Sequence, residues 1–464
     1  MSRIDTDTIC AIATAPGRSG IGIVRISGPD CQKTATAILG FSPRPRHAHF
    51  CRFSNPGGEV VDQGVALFFA APHSFTGEDV LELQGHGGPV VLGSVLRAAS
   101  AAGARLARPG EFSERAFLNG KLDLVQLESI ADLIDAGTEQ AARSAVHSLE
   151  GFFSSQVNDF VSRITNLRVY VEAAIDFTDE DIDFMAEGRI QQTLQTTLQD
   201  LENFLGKARQ GALLKYGLKV VIAGEPNAGK SSLLNGLSGR DSAIVTDIPG
   251  TTRDILTETI NLDGLPLHIL DTAGLRDSRD AVEQEGIRRA RQAIDQADRI
   301  LLLIDTQRHA MDETVIRQQL QALRLDESLL DSGRLSVVFN KIDLRKPTDP
   351  VLPKHMEDQH GLTTLALSAR TGEGMDELRA YLKRCAGYQG SDGSGFIARE
   401  RHIKALIGCR DALREGLTRL EERAGWELLA EDLRIAQNCL GEITGRFTSD
   451  DLLGKIFSSF CIGK

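Results

Sequence analysis

The sequence predicts a multidomain α/β chain. An N-terminal α+β domain is followed by a discontinuous α-helical domain, into which an α/β domain with a mainly parallel sheet is inserted. Three observations carry this expectation. Strand-like and helix-like runs alternate from Leu218 to about Lys383, the order of an α/β unit. Helical periodicity flanks that stretch on both sides. The first ~118 residues are instead rich in Gly and Pro, with short apolar runs. The boundaries read as 1–118, 119–215, 216–384 and 385–464. A chain of 464 residues has room for about two to four separate cores.

Taken in order, Ile21–Val24, Val65–Phe69 and Val80–Leu83 read as strands of the first domain, and a helical stretch follows near residues 89–102. From Ser129 to Ile175 one apolar face recurs at helical spacing through Ile130, Leu133, Ala145, Val157, Val161 and Leu167. A second helical stretch covers about 189–210. Leu218–Ala223, Leu267–Asp271, Ile300–Asp305, Ser336–Asn340 and Thr364–Leu367 are the expected strands of the α/β domain. Gly387–Gly395 reads as a flexible linker by composition, and helical spacing returns after it.

Hydrophobic content of 41% and charged content of 25% are those of an ordinary globular protein. The start of the chain lacks the apolar run of a signal peptide, and no apolar stretch reaches membrane-spanning length. Seven cysteines with no C-x-x-C pair fit reduced thiols in a cytoplasmic protein better than a disulfide framework. A net charge of −12 argues against broad electrostatic binding of nucleic acid, though not against a local basic face. Arg399, Arg401, His402 and Lys404, with Arg410 and Arg414, could form such a face for tRNA; a solvated helix face is the competing reading.

The chemistry is concentrated in the inserted domain. Gly224-Glu225-Pro226-Asn227-Ala228-Gly229-Lys230-Ser231 is a phosphate-binding loop between the expected strand Leu218–Ala223 and a helical start at Ser232. Its backbone N–H groups can wrap a β-phosphate at a helix N-terminus. Lys230 would neutralise β/γ oxygens, and the Ser231 hydroxyl would coordinate Mg²⁺. Downstream, Thr246-Asp247-Ile248-Pro249 leads into Gly250-Thr251-Thr252-Arg253-Asp254, where the Thr252 hydroxyl can complete the Mg²⁺ shell. Asp271-Thr272-Ala273-Gly274 can hold Mg²⁺ through water, with the Gly274 N–H sensing a γ-phosphate. Asn340-Lys341-Ile342-Asp343 can read guanine, because the Asp343 carboxylate accepts from the ring N–H and the exocyclic amine together. Ser368-Ala369-Arg370 can offer a backbone N–H to guanine O6. Five such elements in this order predict GTP binding.

Catalysis departs from the common pattern. The residue after Gly274 is Leu275, where many GTPases carry a water-orienting Gln. Glu283 could orient water through a second water, although an acid in a helix's first turn is also a favourable solvated charge. Arg253 and Arg276 could be arginine fingers in cis or surface salt bridges. Asn227 could offer its carbonyl oxygen to K⁺ or stabilise its own turn.

The phosphate loop with Asn227, Gly250–Asp254 and Asp271–Arg276 resemble the MnmE (TrmE) family of tRNA-modification GTPases. The resemblance extends to Gly77–Gly88, to Arg108–Phe117 and to the tail Phe460-Cys461-Ile462-Gly463-Lys464, so it covers essentially the whole chain. It implies a homodimer formed through an N-terminal domain that binds 5-formyltetrahydrofolate or another tetrahydrofolate one-carbon derivative, with Arg25, Glu82, Lys121 and Lys464 as contacts. It also implies that K⁺ binds through Asn227, Thr246, Ile248 and Thr251, lets two GTPase domains meet, and makes Glu283 the water-positioning residue. The implied reaction modifies C5 of the wobble uridine of certain tRNAs to aminomethyl or carboxymethylaminomethyl forms, in a heterotetramer with the partner MnmG, which alone carries FAD. Cys461 is either a reactive thiol near the folate or a small buried apolar residue. The runner-up is a ribosome-assembly GTPase of the Era or Der type, which would need a basic RNA-binding appendage.

His47, His49 and Cys51 alternate as zinc ligands might, but only three are present and Arg44, Arg46 and Arg52 surround them, so zinc is not expected.

Overall fold

The computed structural model describes residues 7–176, 184–238, 257–270, 293–310, 312–323, 325–345, 355–357, 362–388, 395–422, 425–446, 456 and 463. The chain divides into two compact units. One comprises Met1–Ala131, Leu149–Leu198 and Gly408–Lys464, and the other Asp132–Ser148 and Gln199–Ile407.

In the first unit, β1 (Ile9–Ile12), β2 (Ser19–Ser27), β3 (His49–Ser54), β4 (Val60–Phe69), β5 (Val80–Gly87) and β6 (Arg105–Leu106) form a sheet of order β3-β4-β5-β2-β1-β6. Pairing is antiparallel except between β1 and β6. Alternation along the strands sends Val24, Ile26, Ala66, Phe68, Leu81 and Leu83 to one face. Helices α1 (Cys31–Leu39) and α2 (Pro89–Ala101) cover that face with Cys31, Ala35, Ile38, Leu92, Val95 and Ala99. Arg25 and Glu82 fall at the alternate positions and stand directly opposite each other across β2 and β5. A small cluster of Ile9, Ala11, Ala107 and Phe112 brings in the next helix, α3 (Glu111–Leu118).

The helical pattern of residues 129–175 is broken into three helices: α4 (Leu124–Ile134), α5 (Glu139–Leu149) and α6 (Phe152–Asp176). Local chemistry explains the breaks. The Thr138 hydroxyl accepts the Ala141 N–H at 3.1 Å and caps α5, and Gly151 at φ +89° separates α5 from α6. The second helical stretch is the 33-residue α7 (Phe184–Tyr216), longer at both ends than the periodicity predicts.

The second unit carries a seven-stranded sheet of β7 (Leu218–Gly224), β8 (Thr257–Leu262), β9 (Leu265–Leu270), β10 (Arg299–Asp305), β11 (Leu335–Asn340), β12 (His355–Glu357) and β13 (Thr363–Ala366). Its order is β12-β13-β11-β10-β7-β9-β8. The five inner strands are parallel, and the edge strands β8 and β12 pair antiparallel. Both faces are covered, as the uninterrupted apolar runs of β7 and β10 require. Val220 and Ile222 pack towards α8 (Lys230–Ser238) and, further along the chain, α10 (Met375–Cys385). Val221 and Ala223 pack in the opposite layer, which includes α9 (Glu313–Ala322). The chain then continues into α11 (Glu400–Glu421) and α12 (Trp426–Thr444). Tyr388, read by composition as part of a flexible linker, is instead buried in this core, and the Gly387 carbonyl before it accepts from Gln210 at 2.6 Å. Among the described residues, no helix is long and apolar enough to cross a membrane.

Candidate nucleotide-binding site

Parallel strands deliver their C-terminal ends to one edge of the sheet, where ligands bind in folds of this kind. In register there are Gly224 beside Leu303, Asp305 beside Asn340, and Phe339 beside Ala366. The loop after β7 turns tightly at two glycines. Gly224 has φ +159°, and a Cβ there would lie 2.5 Å from the Leu303 carbonyl oxygen. Gly229 has φ +103°, and a Cβ would lie 2.3 Å from Asn340 Nδ2. Between them Asn227 holds φ +66°, a conformation Asn tolerates better than most side chains. Helix α8 then opens with Lys230, Ser231 and Ser232 in its first turn, so its N–H groups and dipole face the loop. The Lys230 ammonium donates to the Gly224 and Glu225 carbonyls at 2.7 and 3.1 Å.

Asn340 ends β11 with 2% of its surface exposed. Its Nδ2 donates to the Ala228 carbonyl at 2.8 Å, and its Oδ1 accepts the Ala369 N–H at 3.0 Å. One carboxamide thus ties the phosphate loop, the Asn340–Asp343 segment and the Ser368–Arg370 loop together. Lys341 follows at φ +68° and donates to Asp305 Oδ2 at 2.6 Å. Burial alone would raise the Asp305 carboxyl, but the Lys341 ammonium and the Gln307 N–H outweigh it and hold it below the usual carboxylate range. Asp343 lies in a short 3₁₀ turn, Ile342–Leu344. Ser368 is buried, and its Oγ accepts the Thr371 N–H at 3.1 Å. Gly229, Ser232, Asn340, Lys341, Asp343, Ser368, Ala369 and Arg370 all line one open cavity of about 540 Å³.

Two features of this edge carry no motif in the sequence. Asp305 anchors Lys341, and Glu225 inside the loop accepts from Gln319 Nε2 at 2.9 Å and lies 3.3 Å from His309 Nε2. The five motifs include neither His309 nor Gln319. The apolar run of β10 ending in Asp305 was the available signal for the first, and no sequence pattern pointed to the second.

In the N-terminal domain the Arg25 guanidinium pairs with Glu82 at 2.9 Å and reaches the Gly463 carbonyl at 3.4 Å. It lies 5.5 Å from the Phe75 ring centre and 5.8 Å from that of Phe112. Gly463, at φ +97°, leaves no room for a Cβ, which would lie 2.1 Å from the Ile12 carbonyl oxygen. Gly463 itself thus lies next to Arg25. Lys121 donates to the Pro72 carbonyl at 2.9 Å.

The candidate basic face loses two members. Arg399 pairs with Asp132 at 2.7 Å, and His402 is buried with its Nδ1 accepting the Arg399 N–H. Nor is His49 arranged as a ligand, since its Nε2 accepts the Arg44 N–H at 3.0 Å. Thr246, Asp247, Ile248, Pro249, Gly250, Thr251, Thr252, Arg253, Asp271, Thr272, Ala273, Gly274, Leu275, Arg276, Glu283, Cys461 and Lys464 lie outside the described residues.

A family model described as "MnmE helical domain" matches residues 124–461, and one described as "GTP-binding protein TrmE N-terminus" matches residues 8–121. A relative from Marinobacter nauticus, described as "tRNA modification GTPase MnmE", is 55% identical over 99% of both chains. Another of the same description, from Saccharophagus degradans, is 54% identical over 100% of both. Among solved structures, Era from Aquifex aeolicus bound to GDP and AlF₄⁻ is 29% identical, covers 42% of this chain and 65% of its own, and has a TM-score of 0.26.

Proposed function

The chain belongs to the MnmE family of tRNA modification GTPases, and on that premise we propose that it hydrolyses GTP to drive modification of the wobble uridine at C5. The product is the aminomethyl or carboxymethylaminomethyl form, made together with an FAD-containing MnmG partner. The observation that carries the GTP reading is the Asn340 carboxamide, whose two bonds join the phosphate loop to both base-facing loops. Such a staple fixes the distance between a triphosphate and a purine before either binds. Asp343 would then read guanine, and Lys230 would leave its carbonyl partners for the phosphates.

For the metal ions, the donor chemistry suits the role assigned. Ser231 in the first turn of α8 would hold Mg²⁺ with Thr252 and, through water, Asp271. Asn227 would hold K⁺ with Thr246, Ile248 and Thr251, all oxygen donors as that cation requires. The cation would supply the positive charge that an arginine finger supplies elsewhere, and Glu283 would orient the attacking water. Under this reading, GTP turnover in KCl exceeds that in NaCl by at least about tenfold. Equal rates in the two salts would remove K⁺ from the proposal.

A folate one-carbon donor is supported by the Arg25–Glu82 pair beside Gly463, bounded by Phe75 and Phe112. Arg25 offers a planar donor to a carboxylate, and the half-buried Phe75 ring offers a face to a pterin, with the buried Phe112 ring backing the guanidinium. Lys121 and Lys464 would add charge, Cys461 would lie close by in the tail, and two copies of the chain would pair through this domain. Nucleoside mass spectrometry of tRNA from a deletion strain tests the whole reading. Loss of the C5 modification, restored by the gene, is expected; unchanged wobble uridines would overturn it.

A further inference from the structure

Glu225 places a carboxylate inside a loop built to receive phosphate anions. Left free, that charge would oppose the ligand the loop serves, since like charges a few ångströms apart repel even at the dielectric of water. The structure shows how it is occupied. Oε1 accepts from Gln319 Nε2 at 2.9 Å, and Oε2 lies 3.3 Å from His309 Nε2, which donates to it when that nitrogen carries the proton. Gln319 sits on α9 with 5% of its surface exposed, between core residues Ile316 and Leu320, so its amide is rigidly placed. His309 is fixed by its backbone, whose N–H bonds the Asp305 carbonyl at 3.2 Å. None of Glu225, His309 and Gln319 lines the cavity around Asn340 and Asp343. The same residue's backbone matters too, because the Glu225 carbonyl is one of the two that hold Lys230.

We propose that His309 and Gln319 are positioning residues of the nucleotide site, which clamp the Glu225 carboxylate away from the phosphates and set the loop that carries Lys230. The proposal rests on the GTP-binding reading and deepens it. Gln319 first, then His309, also holds the Glu225 carboxyl below its usual range, so the clamp keeps the group charged and makes its placement matter. Loosening the clamp frees a full negative charge next to the ligand. The penalty therefore scales with ligand charge and vanishes when the charge is removed.

The test is a double-mutant cycle on the full-length protein, with fluorescent GTP and GDP titrated at low and high salt. Gln319→Leu is expected to weaken GTP binding by about tenfold and GDP binding by less, with the difference shrinking in high salt. Adding Glu225→Gln is expected to recover most of that loss. If Gln319→Leu leaves affinity unchanged, or if the double variant stays as weak as the single one, the clamp is not electrostatic and the proposal fails. Should Gln319→Leu not fold, His309→Ala replaces it in the same cycle, because that side chain is a quarter exposed. A wild-type protein that binds neither nucleotide would instead overturn the underlying GTP reading.

Discussion

Replacing Asp343 by Asn is expected to lower GTP affinity by about a hundred- to a thousandfold and to raise affinity for xanthosine triphosphate. The carboxylate accepts two hydrogen bonds from guanine, and bonds to a charged group contribute about 1.5–3 kcal/mol each. An amide keeps one acceptor and turns the other into a donor, which meets the exocyclic amine of guanine with like polarity. Xanthine carries a carbonyl at that position, so the same amide now matches it. The backbone around Asp343 is held by other groups. Lys341 is anchored to Asp305, the Ile342 N–H reaches the Leu367 carbonyl at 3.4 Å, and Asn340 is bonded at both ends. The variant should therefore fold and keep its phosphate loop. Competition titrations with both triphosphates give the readout. An equal loss for GTP and xanthosine triphosphate would mean that Asp343 supports the loop and does not read the base.

The strand framework of the candidate nucleotide site was legible because its signals are local. The phosphate loop, Asn340–Asp343 and Ser368–Arg370 are short strings at strand ends, and the strands themselves are apolar runs that cannot be read as anything exposed. Leu218–Gly224, Arg299–Asp305 and Leu335–Asn340 lie within a residue or so of their expected positions. What the strings could not reveal is how they touch. Asn340 reads as a base contact in a linear motif, but folding also makes it the staple of three loops, because β11 lies two strands from β7 and its end meets Gly229. His309 and Gln319 carry no motif and act only through a contact 84 or 94 residues distant in sequence. In the N-terminal domain, Arg25 and Glu82 were reached only by family resemblance. Nothing in a single charged residue on a strand announces that its cross-strand neighbour is its opposite charge. The strands missed there, β1, β3 and β6, are short or polar, with periodicity too weak to stand out from turns.

Substituting Glu111 by Gln is expected to destabilise the N-terminal domain by about 3 kcal/mol at pH 7, with the cost disappearing in acid. Glu111 is 1% exposed and accepts from Arg105 at 2.7 and 3.1 Å, from Arg115 at 3.1 Å, and from the Arg108 N–H at 2.7 Å. Asp7 shares both arginines and Glu78 shares Arg115, so the group ties the segments just before β1 and β5 to β6 and α3 in one ionic cluster. Burial pushes the Glu111 carboxyl up, but the two guanidiniums and the backbone donor prevail and bring it from 4.5 to about 2. Asp7 is likewise brought from 3.8 to about 2, chiefly by Arg105; being 43% exposed, it adds less than its shift suggests. Since the folded value lies below the unfolded one, the unfolded chain binds more protons between the two. The stabilisation is complete above pH 4.5 and drains away as pH falls towards 2. A shift of this size corresponds to about 3 kcal/mol, roughly half or less of which survives at pH 3. Urea titrations of wild type and Glu111→Gln at pH 7, 5, 4 and 3 measure the difference directly. A gap that narrows with acid identifies the lost charge as the cause, whereas a gap constant from pH 7 to pH 3 would assign the effect to shape and leave the ionic cluster without energetic weight.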